Sequence, residues 1–106
     1  MDFIGRLEED NGITGEEQIV IYGAGTIGKR AYAILKQKGL ADGVRAFCDG
    51  NSDVIRSNIE GKEVMSLTDV CRKYPTAVYL VASCCVRQMV ENLRSQGIQK
   101  IHIIRC

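Results

Sequence analysis

The stretch Ile19-Val20-Ile21-Tyr22-Gly23-Ala24-Gly25-Thr26-Ile27-Gly28 places three glycines, spaced as G-x-G-x-x-G, directly after a short apolar run. Four apolar residues that end at a glycine are typical of a buried parallel strand. The residues that follow predict a helix over 26–37, because Ile27, Ala31, Ile34 and Leu35 form a single apolar stripe. The pattern therefore predicts a strand, a tight turn and a helix in succession.

Each glycine has a physical task in such a turn. Gly23 permits the sharp bend, Gly25 lets a pyrophosphate approach the backbone, and Gly28 lets the helix lie close to the strand. The first amides of the helix and the positive end of its dipole attract an anion. We therefore predict that the turn holds the phosphates of a nucleotide, with the binding residues Gly23, Ala24, Gly25, Thr26, Ile27 and Gly28. The alternative is that the glycines only allow tight packing and that the domain has lost its ligand.

The rest of the chain alternates between strand and helix patterns. Strands are predicted at 44–48, 77–82 and 101–104, helices at 67–74 and 86–96, and a pair of short extended pieces at 59–65 with a turn at Gly61-Lys62. Ser66 is positioned to cap the helix at 67–74. We predict a Rossmann-like, three-layer α/β/α fold with a mainly parallel sheet. Its expected strand order is 2-1-4-5, with the small third element at one edge.

Charge divides the chain into two parts. The first 18 residues carry six acidic side chains and one basic one, whereas the remainder carries seven acidic and thirteen basic ones. We expect residues 1–17 to be an acidic extension or linker and 18–106 to be the nucleotide-binding domain. The scattered positive charge suits a small anionic ligand better than a nucleic acid. With no apolar run of about 18 to 20 residues and no signal peptide, we expect no membrane contact and a cytoplasmic location.

Two further positions are candidates for ligand contact. Asp49 follows the second predicted strand. In dinucleotide-binding folds a carboxylate at this position accepts hydrogen bonds from a ribose diol and repels a 2′-phosphate. Asp49 therefore favours NAD over NADP. Its alternative role is that of a turn-forming aspartate. Ser83 follows the predicted central strand and can donate to a phosphate or a sugar hydroxyl. Both loops are expected near the glycine turn, because the strand order reverses there.

Cysteine and histidine usage argues against a metal centre. The five cysteines form no C-x-x-C pair, and the chain has one histidine, His102. Cys48 and Cys71 lie in apolar stretches and are predicted to be small buried hydrophobes. The roles of Cys84 and Cys85 stay open between packing, ligand contact and redox sensing. No set of catalytic residues is recognisable, so no metal and no catalytic residue is expected.

Three segments carry a resemblance to a known family. They are Val20 to Arg30, Ala46 to Asn51 and Ile59 to Val64, supported by Ala77 to Ser83 and Leu93 to Gly97. In this order they resemble the N-terminal nucleotide-binding domain of bacterial sugar acetyltransferases and other polysaccharide-biosynthesis enzymes. The resemblance implies that Gly23, Gly25, Gly28 and Asp49 contact a nucleotide or a nucleotide sugar, and it adds Asn51. The second acid that this family often has after the strand is replaced here by Gly50.

The leading expectation is a binding module for NAD or a nucleotide sugar such as a UDP-sugar. A covalently linked or associated catalytic domain would then supply the chemistry of a transferase or an NAD-dependent enzyme, and the isolated chain would not be catalytic. A first alternative is the cofactor domain of a small NAD-dependent oxidoreductase or dehydratase, which would need a homo-oligomer to complete its active site. A second alternative is an NAD-responsive regulatory domain. The sequence leaves the choice among these open.

Overall fold

The computed structural model describes residues 18–50, 57–82 and 85–104. Its strands are β1 (Ile19–Tyr22), β2 (Val44–Cys48), β3 (Asn58–Ile59), β4 (Lys62–Met65), β5 (Val78–Ala82) and β6 (Ile101–Ile104). Its helices are α1 (Thr26–Gln37), α2 (Leu67–Lys73) and α3 (Val86–Ser95), with a short 3₁₀ turn at Ala41–Gly43. The predicted extension at 1–17 lies outside the described residues.

The six strands form one sheet in the order β3-β4-β2-β1-β5-β6. All neighbouring pairs are parallel except β3 with β4, which form a hairpin at the edge of the sheet. Both the mainly parallel sheet and the predicted strand order are therefore confirmed, since the hairpin is the small edge element. Its turn lies one residue earlier than predicted, because Glu60 and Gly61 have φ values of 53° and 78°.

Helices cover the sheet from both sides, which confirms the three-layer prediction. On one side, Ala31, Tyr32 and Leu35 of α1 pack on Ile21, Phe47 and other strand residues. On the other side, Val70 and Cys71 of α2 and Leu93 of α3 pack on the opposite faces of the same strands. Every residue of β1 and β5 is buried, because both strands are covered on both faces.

Local signals set the helix boundaries. At the start of α2, the Ser66 hydroxyl accepts a hydrogen bond from the Asp69 amide at 3.2 Å, so the predicted cap is confirmed. Both α1 and α3 begin without a side-chain cap. Glycines with positive φ, Gly39 and Gly97, follow the ends of these two helices. The starts of α1 and α3 thus lack the side-chain cap that α2 has.

Raising the pH above about 9 should destabilise the fold, because burial raises the pKa of the Cys48 thiol, with neighbouring Cys71 and Asp49 adding to the shift. The unfolded chain then releases a proton that the folded chain retains. The free energy of unfolding should therefore fall by up to about 1.4 kcal/mol per pH unit, whereas below the pKa of the unfolded thiol this stability is fully present. Denaturant unfolding at two pH values measures the fall. A Cys48→Ala variant should show a smaller fall, and an equal one would contradict the assignment.

Candidate functional site

A cleft of about 370 Å³ opens at the carboxyl ends of β1, β2 and β5. The strand order reverses at this place: β2 and β4 lie on one side of β1, whereas β5 and β6 lie on its other side. The lining residues come from the glycine turn, the three strand ends and both flanking helices: Tyr22, Gly23, Gly25, Thr26, Ile27, Asp49, Gly50, Ala82 and Met89. The cleft is therefore at the place where parallel α/β sheets bind ligands.

Two backbone amides of the turn are already bonded within the protein. The Gly23 amide donates to the Cys48 carbonyl at 2.7 Å, and the Ala24 amide donates to Asp49 Oδ2 at 2.8 Å. These bonds tie the turn after β1 to the end of β2. They fix the shape of the turn and the direction of the Asp49 carboxylate before any ligand arrives.

The next four amides have no partner within α1. The first intrahelical bond runs from the Lys29 amide to the Gly25 carbonyl at 3.0 Å, so the helix itself leaves the amides of Gly25 to Gly28 unpaired. The residue at the N-cap is Gly25, which has no side chain to accept from these amides, and the first turn contains no acidic residue. At α2, by contrast, Ser66 and Asp69 supply both a cap and a negative charge. The positive end of the α1 dipole thus has no side-chain cap and no acidic residue in its first turn.

The glycines separate into two that pack and one that leaves room. A Cβ on Gly28 would overlap the Gly23 carbonyl oxygen, and a Cβ on Gly23 would overlap the Ala82 carbonyl oxygen. Gly23 also has φ of 120°, a conformation that side chains rarely adopt. A Cβ on Gly25 would meet no atom within 4 Å. Gly25 therefore leaves open space in the cleft, above the unpaired amides.

Tyr22 closes the cleft on the side of α3. Its side chain is 6% exposed, and its hydroxyl accepts a hydrogen bond from the Asn92 side-chain amide at 3.3 Å. Burial raises the pKa of the Tyr22 hydroxyl, although the Asn92 bond partly offsets the shift. The hydroxyl is therefore neutral at physiological pH. Met89 of α3 contributes a flexible apolar wall beside it.

The structure brings most of the predicted site residues together. Gly23, Gly25, Thr26, Ile27 and Asp49 line the cleft. Ala24 lines a neighbouring cavity, and Gly28 is buried beneath the turn. Asn51 and Ser83 lie outside the described residues, although the adjoining Gly50 and Ala82 are in the lining. Four further lining residues were not predicted from the sequence: Tyr22, Gly50, Ala82 and Met89.

No family model and no curated protein sequence matches the chain. Solved structures do. RSP, a Rex-family repressor, is similar to it with a TM-score of 0.70 and 17% identity over 84% of this chain and 45% of that one. The fold is Rossmann-like. UDP-D-quinovosamine 4-dehydrogenase from Vibrio fischeri has a TM-score of 0.65 and 20% identity over 84% of this chain and 78% of its own.

Other similar structures contain ligands. RSP in complex with beta-NADH has a TM-score of 0.67 and 14% identity, and the match covers 95% of this chain and 59% of that one. The chain thus spans about half the length of these RSP structures. A further RSP structure contains beta-NAD+ and operator DNA, so the expectation that this Rossmann-like chain has no nucleic-acid partner stays a prediction. The likeness to a sugar acetyltransferase domain also stays a prediction.

The remaining observations concern metal binding, membrane spans, the cysteines and the titratable residues of the cleft. Among the described residues, no group of three or more histidine, cysteine, aspartate or glutamate side chains is arranged to hold a metal ion. The described helices are all too short or too polar to cross a membrane. Cys48 and Cys71 are buried, as predicted, whereas Cys85 is exposed at the start of α3. Within the described lining of the cleft, Asp49 and Tyr22 are the titratable residues.

Proposed function

We propose that this chain binds a nucleotide by its diphosphate, and that the N-terminus of α1 supplies the main contact. The observation that carries the proposal is the uncapped first turn, in which Gly25 offers open space and no acidic side chain compensates the helix dipole. A diphosphate oxygen placed there would accept hydrogen bonds from the amides of Thr26 and Ile27, both of which line the cleft. Such charge-assisted bonds are about twice as strong as neutral ones.

Asp49 gives the nucleotide its orientation in this proposal. It lines the cleft at the end of β2, one strand away from the glycine turn. Its bond to the Ala24 amide directs the carboxylate, so that a ribose diol in the cleft can donate to it. A carboxylate in this position disfavours a 2′-phosphate, so NAD is expected to bind better than NADP.

The proposal assigns binding, and not turnover, to this chain. In this proposal the two described titratable residues of the cleft have structural and binding roles: Tyr22 is held neutral by burial and bonded to Asn92, and Asp49 accepts from the Ala24 amide and from the ribose. We infer that a linked or associated catalytic domain performs the chemistry. The resemblance to domains of polysaccharide-biosynthesis enzymes supports a transferase that acts on a nucleotide-linked sugar.

Thermal unfolding of the whole chain in the presence of candidate ligands tests the proposal. The ligands are NAD, NADH, NADP, UDP-glucose, ATP, coenzyme A and inorganic pyrophosphate. A ligand at 100 times its dissociation constant should stabilise the fold by roughly 2.7 kcal/mol, which corresponds to a rise of roughly 10 °C or more in Tm. If none of these ligands raises Tm at millimolar concentration, the proposal is wrong.

The same experiment separates the more specific functions. Preference for UDP-glucose supports the module of a sugar-modifying enzyme, whereas preference for NAD supports an oxidoreductase or dehydratase cofactor domain. A large difference between NAD and NADH supports the regulatory alternative, because a sensor must distinguish the two redox states. Turnover of NAD by the chain alone would contradict the assignment of a binding role.

Substitutions of Asp49 should separate its contact with ribose from its contact with the turn. Asp49→Asn keeps an acceptor for the Ala24 amide but loses the charge, so we expect NAD to bind about tenfold more weakly and pyrophosphate to bind as before. Asp49→Ala also releases the Ala24 amide and should weaken both ligands. Calorimetric titration of each ligand into each variant gives the comparison. Wild-type affinity of Asp49→Ala for both ligands would contradict both roles.

A further inference from the structure

A second cavity, of about 520 Å³, lies between α1 and the edge hairpin. One wall is the stripe of α1 that carries Lys29, Tyr32, Ala33 and Lys36, and the opposite wall is formed by Ser57, Asn58, Ile59 and Glu60. Ala24 of the glycine turn closes one end. The volume is within the range of small-molecule sites, roughly 300 to 1,000 Å³. Among the residues that the structure describes, none lines both this cavity and the cleft beside the glycine turn.

Tyr32, a largely buried residue, lines this cavity, and its hydroxyl has no partner among the described residues. The residue is 8% exposed, and its ring packs in the core with its centroid 5.9 Å from that of Phe47. No described residue forms a hydrogen bond with its hydroxyl. In the described part of the chain, no polar side-chain atom is both fully buried and unpartnered, so the Tyr32 hydroxyl is accessible to solvent. The hydroxyl is therefore available as a donor or acceptor to a ligand that enters the cavity.

Two lysines flank Tyr32 along α1. Lys29 and Lys36 lie two helical turns apart on the same stripe, about 10 Å along the axis, with Tyr32 between them. Neither lysine forms an ion pair with another residue in the described ranges. Glu60 is the single acid among the described lining residues, whose formally charged side chains, two lysines and one glutamate, leave a net charge of +1. Ala33 and Ile59 add apolar surface.

We propose that this cavity is a second binding site, for a small organic anion that carries one carboxylate or one phosphate monoester. Its oxyanion accepts hydrogen bonds from the Tyr32 hydroxyl and from the ammonium group of Lys29 or Lys36, and its apolar body lies on Ala33 and Ile59. Glu60 disfavours ligands that carry negative charge at both ends. The site goes beyond the nucleotide proposal and does not rest on it.

Nuclear magnetic resonance of the ¹⁵N-labelled chain, titrated with benzoate and with phenyl phosphate, tests this site. We expect either anion to shift the amide signals of Tyr32, Ala33, Asn58 and Ile59. Inorganic pyrophosphate should instead shift the amide signals of Gly25, Thr26 and Ile27. The nucleotide proposal and the second-site proposal are therefore tested by the signals of different residues. A stronger response to one of the two probes identifies the anion. Benzamide, the neutral counterpart of benzoate, should bind at least about tenfold more weakly, because charge-assisted bonds are lost.

Variants of the lining make the test specific. Tyr32→Phe removes the hydroxyl and keeps the ring, and it should weaken the preferred probe roughly three- to tenfold. Lys29→Met combined with Lys36→Met should weaken it more than about tenfold. Arg30→Met is the matched control, because Arg30 is exposed on the same helix but does not line the cavity. If neither anion at about 10 mM shifts the cavity amides, or if all variants bind like wild type, the proposal is wrong.

Discussion

A Gly25→Val chain should lose at least about 100-fold in affinity for pyrophosphate and for the preferred nucleotide, while it stays folded. The valine side chain would fill the open space above the amides of Thr26 and Ile27, so that a phosphate could no longer reach them. Loss of two charge-assisted hydrogen bonds of about 1.5 kcal/mol each gives this factor. Isothermal titration calorimetry on the variant and on wild type measures it.

Stability must be measured on the same samples, because loss of binding through unfolding would prove nothing. Gly25 has φ of −84°, which side chains adopt readily, and a Cβ there meets no atom within 4 Å. We therefore expect the free energy of unfolding to change by less than about 1 kcal/mol, the usual cost of a poorer residue at a helix cap. Gly25→Ala should give an intermediate loss of affinity. Retention of wild-type affinity by a folded Gly25→Val chain would rule out the helix N-terminus as the phosphate site.

Features that depend on neighbouring residues in the chain could be predicted from the sequence. The helix at Thr26–Gln37 has the bounds that its apolar stripe and the following Gly39 indicate. The strand order also followed, because alternating strands and helices with right-handed crossovers permit few arrangements. The hairpin turn was misplaced by one residue, since Glu60 adopts the left-handed conformation in which glutamate is uncommon.

The missed lining residues depend on contacts between distant parts of the chain. Tyr22 and Met89 are 67 positions apart, and they meet at the cleft because α3 packs on the opposite face of the sheet from α1. In the sequence, Tyr22 ends an apolar strand and Met89 belongs to an apolar helix stripe, so neither carries a signal of its own. The glycine motif was enough to propose a phosphate site, but the other residues that line the cleft could be found only from the fold.

Ala24 illustrates a different limit. It belongs to the glycine motif and was predicted to contact the ligand, yet its amide is bonded to Asp49 and the residue lines the second cavity. The motif specifies which residues make the turn, whereas the assignment of each amide to protein or ligand depends on the strand beside it. Tyr32 is a second example of a residue whose environment depends on the neighbouring strand, because its ring is buried through contact with Phe47 on β2.

Gly28→Ala should lower the free energy of unfolding by about 2 to 3 kcal/mol, and Tm by roughly 10 to 20 °C. The added Cβ would overlap the Gly23 carbonyl oxygen and lie 2.8 Å from the carbonyl carbon, and both are backbone atoms. Gly23 cannot move away easily, because its amide is bonded to the Cys48 carbonyl at 2.7 Å and its α-carbon faces the Ala82 carbonyl. Urea unfolding of the purified variant measures the loss.

The comparison with Gly25→Ala, which adds the same methyl group three residues earlier, is the matched control. That variant should unfold within about 1 kcal/mol of wild type, because its Cβ enters open space. The two substitutions should thus have opposite profiles: Gly28→Ala lowers stability, whereas Gly25→Ala lowers affinity. Wild-type stability of Gly28→Ala would mean that α1 can move away from the turn. The helix amides would then not be held in place for a phosphate, and the physical basis of the proposed site would fail.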